Sequence, residues 1–148
     1  MASLRRATIG AAAAAFLATG IMTAGAGSAR AAEKSCGFEF TWTRPTVLPP
    51  QVLARGVAQC TVPPEEHIAV LKLEFRPAGG ARWEVAAATP PNHTIPAREA
   101  RYEVSGPCYA GSWRAVVEIW GSMQGHPFTF SDRSRSVDIP PSKCASRG

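Results

Sequence analysis

Apolar and polar residues alternate along most of the chain beyond residue 36, in short stretches bounded by proline and glycine. In the first stretch Phe38, Phe40 and Trp42 fall on one side, with Glu39, Thr41 and Thr43 on the other. Such period-two alternation predicts a strand buried on one face. After a loop from Pro45 to Pro50, a second and weaker stretch spans 52–62, ending at Cys60 and Val62 before Pro63-Pro64. In the third, Ala69, Leu71, Leu73 and Phe75 oppose Lys72, Glu74 and Arg76. Gly79-Gly80 makes a turn, and Trp83 and Val85 then oppose Arg82 and Glu84. Ala100, Tyr102 and Val104 alternate with Glu99, Arg101 and Glu103. Trp113, Ala115, Val117 and Ile119 build the inner face of a sixth strand, and Phe128 with Phe130 begins a seventh.

A helix competes only at 96–104, where Pro96 suits a helix start. Nine residues without an apolar stripe at 3.6 spacing would be marginal as a helix. Seven short strands with turn signals at regular intervals predict an all-β, antiparallel β-sandwich. Phe128 and Phe130 occupy even positions, whereas Val137 and Ile139 occupy odd ones. Side chains alternate with period two, so 131–136 must contain a bulge or short loop that shifts the phase.

Residues 1–31 read as a cleavable export signal. Arg5 and Arg6 precede an apolar run from Ile9 to Ala18, and Ala29-Arg30-Ala31 supplies a small-x-small cleavage pattern. Thr19, Gly20, Thr23 and Gly25 interrupt the apolar run, which falls short of the roughly 20 continuous apolar residues of a membrane span. The expected product is one secreted domain, 32–148, released rather than tethered to a membrane. The signal holds three of the sixteen basic residues, so the domain carries thirteen against eleven acidic ones, a balance of +2 rather than +5. That near-neutral charge removes most of the case for a nucleic-acid partner.

The four cysteines, Cys36, Cys60, Cys108 and Cys144, all lie beyond the signal, where an oxidising compartment favours disulfides. Four cysteines allow three pairings. Opposed residues in an antiparallel hairpin have a constant index sum, which helps to choose. Cys36 and Cys60 centre on residue 48, inside the proline-bounded loop, and Cys108 and Cys144 centre on 126, beside the turn at Gly121–Pro127. The expected bridges are therefore Cys36–Cys60 and Cys108–Cys144, each contributing about 3.5 kcal/mol in the chain-entropy model. No free thiol would remain for chemistry.

Catalytic signatures are sparse. His67, His93 and His126 show no metal-ligand spacing, and no cofactor or metal site is expected. Gly121-Ser122-Met123-Gln124-Gly125 lacks the spacing of a nucleophile elbow. Asp132 and Asp138 offer a conceivable carboxylate pair, and Glu65-Glu66-His67 a conceivable acid/base cluster for a small hydrolase. The leading expectation is a non-catalytic binding surface on the outer side of the sixth strand and its following turn. Arg114, Val116, Glu118, Trp120 and Met123 lie there, and Trp, Met and Arg are enriched in binding hot spots. The partner would be an extracellular protein, glycan or small molecule. An alternative is an enzyme inhibitor presenting the Arg44–Gln51 loop, clamped by the first bridge.

The segment from Cys108 through Trp113 to Ile119, with its Gly-x-aromatic turn leading into an alternating strand, resembles a late strand of immunoglobulin-like sandwiches. Together with Gly125-His-Pro-Phe and a terminal Cys144, it is similar to small secreted proteins of actinobacteria. The resemblance covers about residues 100–144, implies an immunoglobulin-like sandwich in an extracellular setting, and transfers no catalytic residue. The antibody arrangement of an inter-sheet disulfide packed on a Trp is not matched, because the expected bridges lie within hairpins.

Overall fold

The computed structural model describes residues 36–147; the expected export signal, 1–31, lies outside the described residues. Among the described residues every regular element is a strand: β1 (Cys36–Phe40), β2 (Thr46–Leu48), β3 (Gln51–Cys60), β4 (Glu66–Pro77), β5 (Glu84–Ala88), β6 (Glu99–Pro107), β7 (Gly111–Met123), β8 (His126–Arg133) and β9 (Val137–Ile139). They form two antiparallel sheets. In the first, β3 is central, with β6 on one side and β1 and β2 sharing the other. In the second, the order is β5, β4, β7, and β8 and β9 share the far edge of β7.

Alternation explains how the two sheets close on one core. Val52, Ala54 and Ala58 of β3 and Ala100, Tyr102 and Val104 of β6 are buried with Ala69, Leu71, Leu73 and Phe75 of β4. Trp113, Ala115, Val117 and Ile119 of β7 complete the cluster. Phe75 and Trp113 pair in register, with ring centroids 5.0 Å apart. Full burial of side chains this size contributes roughly 1.5–3 kcal/mol each, so β4 and β7 anchor the fold.

Both expected disulfides are present. Cys36 and Cys60 oppose each other at the open end of the β1–β3 pairing. Cys108–Cys144 ties the β6–β7 connection to the tail that follows β9. It lies just beyond Gly111–Ile139, the terminal pair of β7 and β9, where the Ala110 N–H also donates to the Ala145 carbonyl at 2.9 Å. Two such bridges indicate an oxidising environment.

The phase break also falls where expected. The β7–β8 partners sum to 249 and the β7–β9 partners to 250, so the chain slips by one residue at 134–136. The Ser134 hydroxyl fills the gap by accepting from the Ala115 N–H at 2.9 Å.

Several expectations need correction. The sandwich has nine strands among the described residues rather than about seven. β2 lies inside the Pro45–Pro50 stretch read as loop, and β9 is separate from β8. β1 ends at Phe40, so Trp42 does not share the buried face of Phe38 and is 40% exposed, with the Arg55 guanidinium 5.6 Å from its ring centroid. Trp83 precedes β5, and Val85 is 55% exposed. A register shift between Leu73 and Glu74 pairs Val85 with outward Glu74 and Ala87 with buried Leu73, which reverses the face that simple alternation assigns. Asp132 pairs with inward Val117 and Asp138 with outward Ser112, so the two carboxylates are on opposite faces of the sheet and form no dyad.

Candidate functional site

The outer face of the second sheet carries the expected binding residues, and the β4–β7 register sets them in rows. Glu74 lies beside Arg114, Lys72 beside Val116, Val70 beside Glu118, and Ile68 beside Trp120. The rows are joined by ion pairs. Arg114 Nε donates to Glu74 Oε2 at 2.7 Å, both side chains being less than one-fifth exposed. Lys72 Nζ donates diagonally to Glu118 Oε2 at 2.6 Å, a geometry long side chains reach readily on a sheet face.

Trp83 closes one end of this face. Its ring centroid lies 4.3 Å from the Arg114 guanidinium and 4.7 Å from that of Arg76. The indole thus shields the Glu74–Arg114 pair from water, which strengthens both the ion pair and the cation–π contacts. Sequence reasoning missed this role, because it depends on the register shift in β5.

Arg114 and Glu118 are therefore engaged within the sheet rather than presented to a partner. Val116 faces outward as expected but is buried, and Ile68 and Val70 of β4 are likewise outward and buried. Trp120 is half-buried. Beside it, between β7 and β8, runs a shallow groove of about 380 Å³ whose lining includes Glu118, Trp120, Thr129, Phe130 and Ser131. Phe130 is 37% exposed at the same edge.

Met123 ends β7, opposite His126 in register. The turn between them is two residues long, and both Gln124 and Gly125 have positive φ, the signature of a type I′ hairpin. Glu65 Oε2 accepts from the Gly125 N–H at 3.0 Å. The turn is a tight hairpin, pinned by the residue that precedes β4.

The Glu65-Glu66-His67 cluster does not converge. Glu65 and Glu66 are exposed, whereas His67 points inward and is 2% exposed. Its Nδ1 is buried without a hydrogen-bond partner. Burial lowers its pKa, partly offset by the backbone of Thr94 and of His67 itself. His93 and His126 are exposed in a loop and at the β7–β8 turn. Among the described residues no group of three or more His, Cys, Asp or Glu is placed to hold a metal. Tyr102 has a buried hydroxyl without a partner, and its pKa is raised by burial.

The Arg44–Gln51 segment is more ordered than a free loop. Thr46, Val47 and Leu48 pair with Leu53, Val52 and Gln51 in a hairpin closed by Pro49-Pro50. Leu48 is 55% exposed at its tip.

Three solved chains are similar in shape at low identity. The ApaA protein of Bordetella pertussis is 10% identical over 71% of this chain and 92% of its own, with a TM-score of 0.37. Two structures of β-glucosidase 3B from Thermotoga neapolitana, one in complex with glucose and one with α-D-glucose, are 14% and 15% identical, with TM-scores of 0.37 and 0.38. Each covers 70% of this chain, and the matched part is 17% of the β-glucosidase. No family model and no curated protein matches the chain.

Proposed function

We propose that the chain is a secreted, non-catalytic binding module with an immunoglobulin-like sandwich, which engages a neutral glycan through the groove beside Trp120. The observation that carries this reading is the contrast along the outer face. Arg114 is paired with Glu74 and Lys72 with Glu118, and Val116 is buried, whereas the partly exposed indole of Trp120 adjoins a groove flanked by Thr129 and Ser131. An aromatic wall and hydroxyl groups, with the one carboxylate of the lining, Glu118, balanced by Lys72, suit the C–H face and hydroxyls of a sugar ring. Few polar groups set in a partly apolar surface are the usual make-up of a ligand site. The test is binding of the purified domain to a panel of neutral oligosaccharides, with Trp120→Ala as the control variant. The reading expects saturable binding that Trp120→Ala weakens at least tenfold. Equal binding by both proteins refutes the assignment of the groove.

A second reading is favoured by one observation, the exposed Leu48 at the tip of an edge hairpin whose outer strand, β2, has a side unpaired among the described residues. An inhibitor presents such an extended apolar segment to a protease by strand addition. Stoichiometric inhibition of a secreted protease, lost in Leu48→Asp, supports that reading, and cleavage without inhibition removes it.

A further inference from the structure

A second cleft lies at the opposite end of β7 from the Trp120 groove; its Ser112 is eight residues from Trp120, about 27 Å along the strand. It measures about 650 Å³, within the range of small-molecule sites. The Pro77–Ala78 turn, the start of β7 and the tail after β9 frame it; Pro77, Ala78, Pro140 and Pro141 give it exposed apolar walls, backed by the buried Phe75 and Ile139.

Two opposite charges stand on its lining. Asp138 is exposed, and its Oδ1 accepts from the Ser112 hydroxyl at 2.6 Å, which fixes the carboxylate while leaving a second oxygen available. Arg147 lies over the rings of Phe75 and Tyr109, 6.0 and 5.7 Å from their centroids, with its side chain 47% exposed. Its ion pair with Glu84 is long, at 3.5 Å, so the guanidinium keeps donors for another acceptor.

The frame is rigid. The Cys108–Cys144 bridge and the Ala110–Ala145 hydrogen bond hold the tail in place. Gly111 has φ +144°, and a Cβ there would sit 2.6 Å from the Arg76 carbonyl and 2.7 Å from the Phe75 ring. Glycine is therefore required at the point where the wall turns around Phe75. A preorganised site loses little freedom on binding.

We propose that this cleft binds a short apolar peptide as a zwitterion. The peptide's ammonium meets Asp138, its carboxylate meets Arg147, and its side chains lie against Pro77, Ala78 and Pro140. The inference is independent of the Trp120 groove, since it uses different residues at a different end of the sheet.

The experiment is titration of the intact domain with the tripeptide Ala-Leu-Ala, its N-acetylated form and its C-terminal amide, followed by NMR of the backbone amides. The zwitterion should bind saturably and shift Ala110, Gly111 and Ser112. Each blocked form should bind about tenfold more weakly, as expected for loss of one charge-assisted hydrogen bond. Asp138→Asn should erase the preference over the acetylated form, and Arg147→Gln the preference over the amide, each with an unchanged thermal midpoint. Absence of saturable shifts at millimolar peptide, equal binding of all three forms, or shifts confined to Glu118–Trp120 overturns the proposal.

Discussion

Replacing Trp83 with alanine should destabilise the domain although Trp83 lies outside its core. The indole contacts two guanidiniums, at 4.3 and 4.7 Å, and covers a Glu74–Arg114 pair whose side chains are only 18% and 19% exposed. A cation–π contact contributes about 0.5–1 kcal/mol at exposed sites and about 2 when desolvated. Removing the ring also admits water to the ion pair, reducing it toward the roughly 0–1 kcal/mol of a surface pair. The combined loss is about 2–3 kcal/mol. For a domain near this size that lowers the thermal midpoint by about 8–12 °C. Calorimetry of wild type, Trp83→Ala, Arg114→Met and the double variant measures both the loss and the coupling. Trp83 and Arg114 should show a coupling of about 1 kcal/mol or more. A midpoint within about 2 °C of wild type, or additive single losses, refutes that expectation.

Other substitutions probe the remaining supports. Gly121→Ala places a Cβ 2.0 Å from the Glu66 carbonyl oxygen, so β4 and β7 must separate there, at roughly 1–3 kcal/mol. Hydrogen exchange at Glu65, whose N–H donates to the Ser122 carbonyl, should then accelerate more than at Leu73. Substituting both Cys108 and Cys144 with serine should lower stability by about 2–5 kcal/mol and speed exchange at Ala110, read by denaturant unfolding and exchange mass spectrometry. His67 gives a pH signature. Its folded pKa lies below the ordinary 6.5, so the unfolded chain binds more protons on acidification and stability falls as pH drops below about 6.5. Urea midpoints at pH 7.5 and 5.5 should differ in wild type and differ less in His67→Gln; an equal difference in both proteins removes His67 as the cause.

The sequence made the central strands legible because β4, β6 and β7 are long and each keeps an unbroken apolar inner face, so period two survives over many residues. Index sums sufficed for both disulfides because each bridge closes an antiparallel pairing, and the one-residue slip between β8 and β9 was visible as a change of parity. Where reading failed, a local irregularity intervened. The register shift opposite β5 turned Trp83 and Val85 outward, and a three-residue strand hid between prolines at 46–48. The outer-face positions of Arg114, Glu118 and Trp120 were legible, but not their engagement. Glu74 reaches Arg114 and Lys72 reaches Glu118 from β4, 40 and 46 residues away in sequence. The end cleft was not legible at all, since it joins segments near 75, 111, 139 and 147 that only the fold assembles.

Two tryptophans on one sheet face have opposite roles in this account, Trp83 holding the face together and Trp120 meeting a ligand. The most direct test measures glycan binding and thermal midpoint together for Trp83→Ala and Trp120→Ala. Trp120→Ala should weaken binding at least tenfold with its midpoint nearly unchanged, while Trp83→Ala should lose stability and, below its midpoint, keep its affinity. Trp120→Ala with unchanged affinity and a large loss of stability contradicts these roles, because Trp120 would then be a cover for Ile68 and Val70 rather than a binding residue.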